Sequence, residues 1–291
     1  MSNYSTKKLT RRGKLLWVSI CLVAIPIAAF AIQEISFKPG FNLYTPQQDV
    51  QLGGQNAVQI EKQMPMLHDA AVEGYITKLG RKLASYAPDN LPVYVWQYHV
   101  VNTNDINAFA LPGGYIFVNR GTIVAAQDEA QLAGVIAHET GHVVMRHGTH
   151  QASEMAMARA PLSILSGILG SSGSVAGNLA QIGLGFGVNS IFLHNSRGIE
   201  AQADEVGTYI LYHAGYDPHA MAQFFQILQQ KYPQQTIQFF SDHPNPGNRI
   251  KAVDREIPLL GPPRKWITDT PEFESIKKRV ESLPAPPPAR R

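Results

Sequence analysis

The stretch Gln131–Met145, Q-L-A-G-V-I-A-H-E-T-G-H-V-V-M, decides the fold, because it places an H-E-x-x-H motif inside a strongly apolar helix. Histidines four residues apart lie on one face of a helix, so His138 and His142 can bind one metal ion from a single rigid element. Glu139 faces the neighbouring side of the same cavity, where its carboxylate can accept a proton from a water activated by the metal. The pattern predicts a hydrolytic zinc site.

An H-E-x-x-H sequence also arises by chance, and the flanking residues decide between the two interpretations. The helix is apolar enough to be central, and burying His and Glu there is costly unless a cation satisfies them. The longer motif H-E-x-x-H-x-x-G-x-x-H is excluded, because Met145 stands where its glycine is required and Gly148 where its last histidine is required. A third ligand must therefore come from elsewhere in the chain.

The best candidates for that ligand lie in R-G-I-E-A-Q-A-D-E-V-G, which places Glu200 and Asp204 one helical turn apart. We expect Glu200 to complete a His2Glu site that leaves a fourth position to water, and Asp204 to accept the spare ring N–H of a ligand histidine. The alternative is a solvated helix face. We expect His147 and His150 to be structural or solvent-facing, because a metal helix running to about His147 or His150 cannot direct them at the same ion.

Four motifs in this order resemble the HtpX, BepA, LoiP and Oma type of zinc metallopeptidases, the HExxH gluzincins of peptidase family M48. They are N-A-F-A-L-P-G-G-Y-I-F-V-N-R-G, H-E-T-G-H-V-V-M-R-H-G, E-A-Q-A-D and D-H-P-N-P-G-N-R. The resemblance covers roughly Gln47 to Val253. The resemblance implies an α+β fold: a predominantly helical, zincin-like metallopeptidase domain with a small sheet beside the HExxH helix. It also implies one Zn2+ per chain and polypeptide substrates.

The upstream motif predicts two short strands, one before and one after the turn Pro112–Gly114. The resemblance implies that one strand is an exposed edge on which an extended substrate lies by strand addition, and that glycines permit close approach of backbone to backbone. The alternative is a plain hairpin packed under the metal helix. The residues expected to bind substrate are Asn107, Ala108, Phe109, Ala110, Gly113 and Gly114.

The downstream motif is a His-Pro loop, which in the resembling family reaches the active site. His243 is therefore expected either to stabilise the oxyanion or, in a latent form of the enzyme, to occupy the open position on zinc. Arg249 is expected to brace the loop. The alternative is a helix-initiating turn with an incidental histidine.

Composition argues against other kinds of site. Of the 25 basic residues, five precede Leu15, so segment 32–291 carries 20 basic and 22 acidic residues. The basic charge belongs to the leader and gives no support to nucleic-acid binding. The only cysteine, Cys21, lies in the same leader, so the metal must be bound by nitrogen and oxygen ligands.

The leader itself contains 18 uncharged residues, Leu15–Ile32, which is the short limit for a membrane-spanning helix. Pro26 interrupts this run and Ala29–Ala31 fits a cleavage site, so residues 1–31 are predicted to be a secretory signal peptide, with an uncleaved N-terminal membrane anchor as the alternative. Both predict export to the periplasm or cell envelope, and an association with the membrane is expected in addition.

The rest of the chain is predicted to divide into a linker (32–44), a zinc metallopeptidase domain (45–257), a C-terminal helix with a Pro-rich linker (258–283) and a disordered Pro-rich tail (284–291). The uncharged Gly- and Ser-rich segment 161–194 is either a packed pair of helices or a mobile, membrane-touching lid. The other predicted elements are helices from Pro46 to about Met64, from Asp69, from Ser196 to about Ala214, from Pro218 to Gln230 and from Glu272 to Ser282, and a strand from Pro92 to Val101.

These observations predict an exported zinc metalloendopeptidase that hydrolyses unfolded or misassembled envelope proteins in protein quality control. The alternative is a latent protease that acts mainly as a chaperone or assembly factor for envelope proteins. A third possibility is a zinc hydrolase that does not cleave peptides.

Overall fold

The computed structural model describes residues 35–159, 196–231, 238–243 and 249–287. Within these ranges helices predominate and one small sheet is present, which confirms the predicted α+β fold class. The helices are α1 (Pro46–Gln63), α2 (Ala70–Ala84), α3 (Arg120–Ala125), α4 (Glu129–Val144), α5 (His147–Arg159), α6 (Arg197–Ala214), α7 (Ala220–Lys231), α8 (Gln238–Asp242), α9 (Arg249–Leu260) and α10 (Pro271–Ser282), and the strands are β1 (Gln97–Val101), β2 (Ala108–Leu111) and β3 (Tyr115–Asn119).

Helix α4 forms the centre of the fold, because all of its residues are buried. Its N-terminus is capped by Asp128, whose side chain accepts a hydrogen bond of 2.9 Å from the Gln131 amide. A helix that is apolar on all sides must be enclosed by other elements. Helix α4 packs mainly against α6 and α7, with α2 and β2 on its other faces.

The sheet has the strand order β1-β3-β2, with β1 parallel and β2 antiparallel to β3. The hairpin of β2 and β3 is confirmed, and it turns at Gly113 and Gly114, whose φ angles are +79° and +104°. The predicted strand start at Pro92 is wrong. Strand β1 begins at Gln97, opposite Tyr115, because β3 offers no partner before that residue.

The predicted length of the metal helix is also wrong. Helix α4 ends at Val144 instead of continuing to His147 or His150, because Arg146 adopts a left-handed conformation with φ of +59°. The Arg146 guanidinium forms two contacts with Asp49 of α1, at 2.6 and 3.1 Å. This contact holds the bend, after which α5 begins.

The other predicted helices are confirmed to within about two residues, as expected for boundaries read from local signals. Helix α1 begins with a capping box formed by Thr45 and Gln48, and Asp69 caps α2. Helix α6 is terminated by the cap residue Gly215, whose φ of +87° is the left-handed conformation that glycine favours.

The described residues from 35 to 287 belong to one compact unit. Phe37, from the predicted linker, and Phe273, from α10, are both buried. The division at 44, 257 and 283 stays a prediction. The predictions for 1–31 and 161–194 lie outside the described residues, as do residues 288–291 of the predicted tail. None of the helices described is long and apolar enough to cross a membrane.

Candidate metal centre

The two histidines of α4 and the first acidic residue of α6 meet in the buried core. The Nε2 atoms of His138 and His142 lie 3.1 Å apart. The carboxylate oxygens of Glu200 lie 3.3 Å from His138 Nε2 and 3.4 Å from His142 Nε2. The side chains of His138 and Glu200 are fully buried, and that of His142 is 9% exposed.

These three side chains fit a zinc ion. Ligands about 2.0–2.1 Å from zinc at tetrahedral angles lie about 3.3–3.4 Å apart, which is close to the separations of 3.1 to 3.4 Å found here. Two imidazole nitrogens and one carboxylate are also a known ligand set for zinc. Side chains this close direct several lone pairs at one point, an arrangement that a bound cation stabilises.

His243, the residue after α8, joins the same cluster. Its Nδ1 atom lies 3.2 Å from His138 Nε2 and 3.2 Å from a Glu200 oxygen, so four side chains could hold one ion. Its Nε2 atom lies 3.4 Å from Glu139, and its ring stacks on Phe239 with 4.7 Å between ring centroids. The prolines that follow His243 in the predicted loop lie outside the described residues.

Two further charged groups surround these side chains. The Nδ1 atom of His138 lies 2.9 Å from Asp204, as the spacing of the second motif predicts. Arg249, at the start of α9, contacts Glu200 at 2.9 Å and Asp204 at 3.0 Å, and its guanidinium lies 4.2 Å from the centre of the Phe225 ring. Arg249 therefore links the two carboxylates of α6, a placement that the predicted loop-bracing role did not include.

Burial and neighbouring charges set the protonation of this cluster. Burial raises the pKa of Glu139 to about 8, although His243 partly opposes the shift. Burial would also raise the pKa of Glu200, but the surrounding imidazoles of His142, His138 and His243 hold this pKa well below its usual range. Burial opposes charge on His138 too, yet its contacts with Asp204 and Glu200 raise its pKa overall. Glu200 is therefore ionised, whereas burial favours the protonated form of Glu139.

A cleft runs from this cluster along strand β2. It is lined by Phe109, Ala110, Leu111 and Pro112 on one side and by residues of α4, α5 and α8 on the other, including Glu139. Strand β2 is the outer strand of the sheet on this side.

The other residues expected to bind substrate lie outside this cleft lining, as far as the described residues show. The Asn107 side chain donates to Asp242 at 2.9 Å, beside His243, and Ala108 is fully buried. Gly113 and Gly114 lie at the hairpin turn, where Gly113 lies against the backbone of α1 and leaves no room for a side chain. Gly113 therefore allows a close approach to the backbone of helix α1, and its place is not beside a substrate backbone.

His147 is the residue of this site that the sequence pattern misses. It is buried, and its Nδ1 atom lies 3.0 Å from Nδ1 of His142, while its Nε2 atom lies 3.2 Å from Gln202 Oε1. Burial lowers its pKa to about 4. On a continuous helix a residue five positions on points away, and no local signal announces the bend at Arg146. His150 contacts the Phe41 carbonyl at 2.6 Å, which agrees with a structural role.

Comparisons with known proteins identify the family of this chain. The model of the family described as Peptidase family M48 matches residues 70–257. The chain is 31% identical over 240 residues to the β-barrel assembly-enhancing protease of Escherichia coli strain K12, covering 80% of this chain and 48% of that protein. It is 31% identical over 220 residues to the mitochondrial metalloendopeptidase OMA1 of Schizosaccharomyces pombe, covering 70% of this chain and 63% of that protein. It is 33% identical over 178 residues to the mitochondrial metalloendopeptidase OMA1 of Bos taurus, covering 56% of this chain and 32% of that protein. The chain spans about half the length of the bacterial relatives it matches.

Proposed function

Because the chain belongs to Peptidase family M48, we propose that it is a zinc-dependent metalloendopeptidase with His138, His142 and Glu200 as zinc ligands and Glu139 as the general base. The observation that carries this proposal is the meeting of two imidazoles and a carboxylate from distant parts of the chain, at separations of 3.1 to 3.4 Å.

The chemistry follows from the position and protonation of Glu139. When bound, zinc supplies the Lewis acidity that activates water and polarises a peptide carbonyl. Glu139 accepts the proton of the attacking water at its carboxylate and delivers it to the leaving amine. Its 1% exposure suits this transfer, because a carboxylate shielded from bulk water can hold the proton between the two steps.

Strand β2 offers a site for the substrate backbone. We expect an extended peptide to add along the outer edge of β2, whose residues line the cleft together with Glu139. Phe109 and Ala110 then lie beside the substrate, while Asn107 positions Asp242 next to His243.

The substitution Glu139→Gln tests the catalytic role. The amide keeps the size of the side chain but cannot take the proton, so we expect zinc content to stay at the wild-type level and cleavage of an unfolded protein such as casein to be lost. Zinc content by mass spectrometry and cleavage by gel electrophoresis measure the two effects. Cleavage at the wild-type rate would refute the role of Glu139, and cleavage by neither protein would argue against a peptidase.

We infer that the substrates are unfolded or misassembled envelope proteins, which the enzyme encounters after the leader 1–31 has directed its export. Two observations support this: the basic residues followed by an apolar run in that leader, and the word "assembly" in the names of the bacterial relatives. Mass spectrometry of the proteins that accumulate on Glu139→Gln in the cell envelope would identify the substrates and show whether the leader is still attached. Accumulation of cytoplasmic proteins only would contradict this inference.

A second candidate is a latent protease that acts mainly as a chaperone or assembly factor. The position of His243 favours it, since its Nδ1 atom lies 3.2 Å from both His138 Nε2 and a Glu200 oxygen, which is close to the separation of two zinc ligands. The substitution His243→Ala separates the two functions. A latent enzyme gains proteolysis when the histidine is removed, whereas a histidine that stabilises the transition state leaves a weaker enzyme.

A further inference from the structure

The two metal-site histidines differ in what lies behind them. The outer nitrogen of His138 faces the carboxylate of Asp204 at 2.9 Å. The outer nitrogen of His142 faces another imidazole, that of His147, at 3.0 Å between the two Nδ1 atoms. The opposite nitrogen of His147 faces Gln202 Oε1 at 3.2 Å. A line of three side chains therefore runs from His142 outward to α6.

This line determines where the hydrogens lie. A neutral imidazole that binds a metal through Nε2 carries its hydrogen on Nδ1, so His142 must donate from Nδ1. His147 Nδ1 must then be the acceptor, and the hydrogen of His147 lies on Nε2. Gln202 Oε1 accepts hydrogen bonds, so the line continues from His142 through His147 to Gln202 with one donor and one acceptor at each contact.

The bend after α4 is what makes the contact possible. On a continuous helix, residue 147 would point about 140° away from residue 142 around the axis. The left-handed conformation of Arg146 redirects the chain, and its ion pair with the buried Asp49 holds it there. We propose that His147 and Gln202 are positioning residues that fix the orientation and the tautomer of His142 so that its Nε2 lone pair faces the metal. This inference rests on the proposed role of His142 as a ligand.

Zinc affinity of the full chain, measured by competition with a chelator, tests the proposal. Partners that orient a metal ligand typically contribute about 10- to 100-fold in affinity. We expect His147→Leu to weaken zinc binding by about that factor. His147→Asn should recover most of the loss, because its side-chain oxygen can accept from His142. The matched control is His150→Leu, on the same helix, which should bind zinc like the wild type.

A double substitution separates the hydrogen-bonded line from a general disturbance of the fold. Gln202 is at the surface, so Gln202→Leu leaves the core intact. We expect it to weaken zinc binding in the wild-type background and to have no further effect in His147→Leu, since the line is already broken there. Equal effects in both backgrounds, or wild-type affinity of His147→Leu, would overturn the proposal.

Nitrogen-15 NMR of the zinc-loaded chain reads the tautomers directly. The proposal predicts the imidazole hydrogen on Nδ1 of His142 and on Nε2 of His147, and a hydrogen on Nδ1 of His147 would overturn it. The substitution His142→Ala distinguishes this result from failure of the proposed function. If His142→Ala loses zinc binding, the ligand assignment stands whatever His147 does. If His142→Ala binds zinc like the wild type, both the ligand assignment of His142 and the positioning role of His147 are refuted.

Discussion

Gly141, between the two motif histidines, sets how closely α4 approaches α6. A Cβ atom added at this position would lie 2.8 Å from the Ala203 carbonyl oxygen and 3.2 Å from Ala203 Cα. Ordinary contacts of this kind begin at 3.4 Å, so the substitution Gly141→Ala requires the two helices to separate by about 0.6 Å. The atoms in the way are backbone, which cannot rotate aside.

The separation acts on the metal site because α6 carries Glu200 and α4 carries both histidines. Ligand distances in a metal site tolerate deviations of only about 0.2 Å, so the zinc-bound form cannot relax the strain as the zinc-free form can. An overpacked contact costs about 1–3 kcal/mol. At about 1.4 kcal/mol per factor of ten, we expect Gly141→Ala to weaken zinc binding roughly 5- to 150-fold.

The matched control is Gly74→Ala on helix α2, where an added Cβ meets no atom within 4 Å. This variant should bind zinc like the wild type and be more stable by up to about 1 kcal/mol, because alanine favours a helix over glycine. Competition with a chelator measures zinc affinity, and urea unfolding of the zinc-free forms measures stability. If Gly141→Ala binds zinc as tightly as Gly74→Ala, the close approach of α4 to α6 does not determine the geometry of the metal site.

Two further predictions concern stability. Arg146→Ala should lower the free energy of unfolding by about 3 kcal/mol, because Asp49 stays buried without its ion-pair partner. Arg146→Gly should be about 1 kcal/mol more stable than Arg146→Ala, because glycine adopts the left-handed conformation without strain. Equal urea midpoints of the two variants would contradict this expectation. Burial and the nearby carboxylate of Glu205 raise the pKa of Glu256 from 4.5 to about 7, so its contribution to stability is complete below about pH 4.5 and is lost as the pH rises through about 7. Glu256→Gln should therefore be more stable than the wild type at pH 8, by on the order of 1 kcal/mol after solvent screening, and equal to it at pH 4; a difference that does not change with pH would count against the buried carboxylate.

The sequence was sufficient for the parts of the fold that local patterns determine. The spacing of His138 and His142 requires only the period of a helix, and the caps of α1, α2 and α4 are signals of one to four residues. The hairpin was equally predictable, because its turn glycines stand between two short runs of strand-forming residues. The meeting of Glu200 with the histidines followed from the chemical need for a third ligand.

The features that the sequence did not reveal depend on contacts between distant residues. Arg146 pairs with Asp49, 97 positions away, and this contact ends α4 where helix propensity predicts continuation. The same bend turns His147 toward His142, against the helical spacing. The placement of Arg249 on two carboxylates of α6 likewise needs the packing of α9, which no local pattern encodes.

The proposed function depends on one zinc ion bound by His138, His142 and Glu200. Anomalous X-ray diffraction at the zinc absorption edge, on crystals of the zinc-loaded chain, locates that ion. We expect a single strong peak about 2.0–2.2 Å from Nε2 of both histidines and from a Glu200 oxygen. A peak at another position, or one at the histidines with Glu200 turned away from it, would show that these three side chains are not the ligand set.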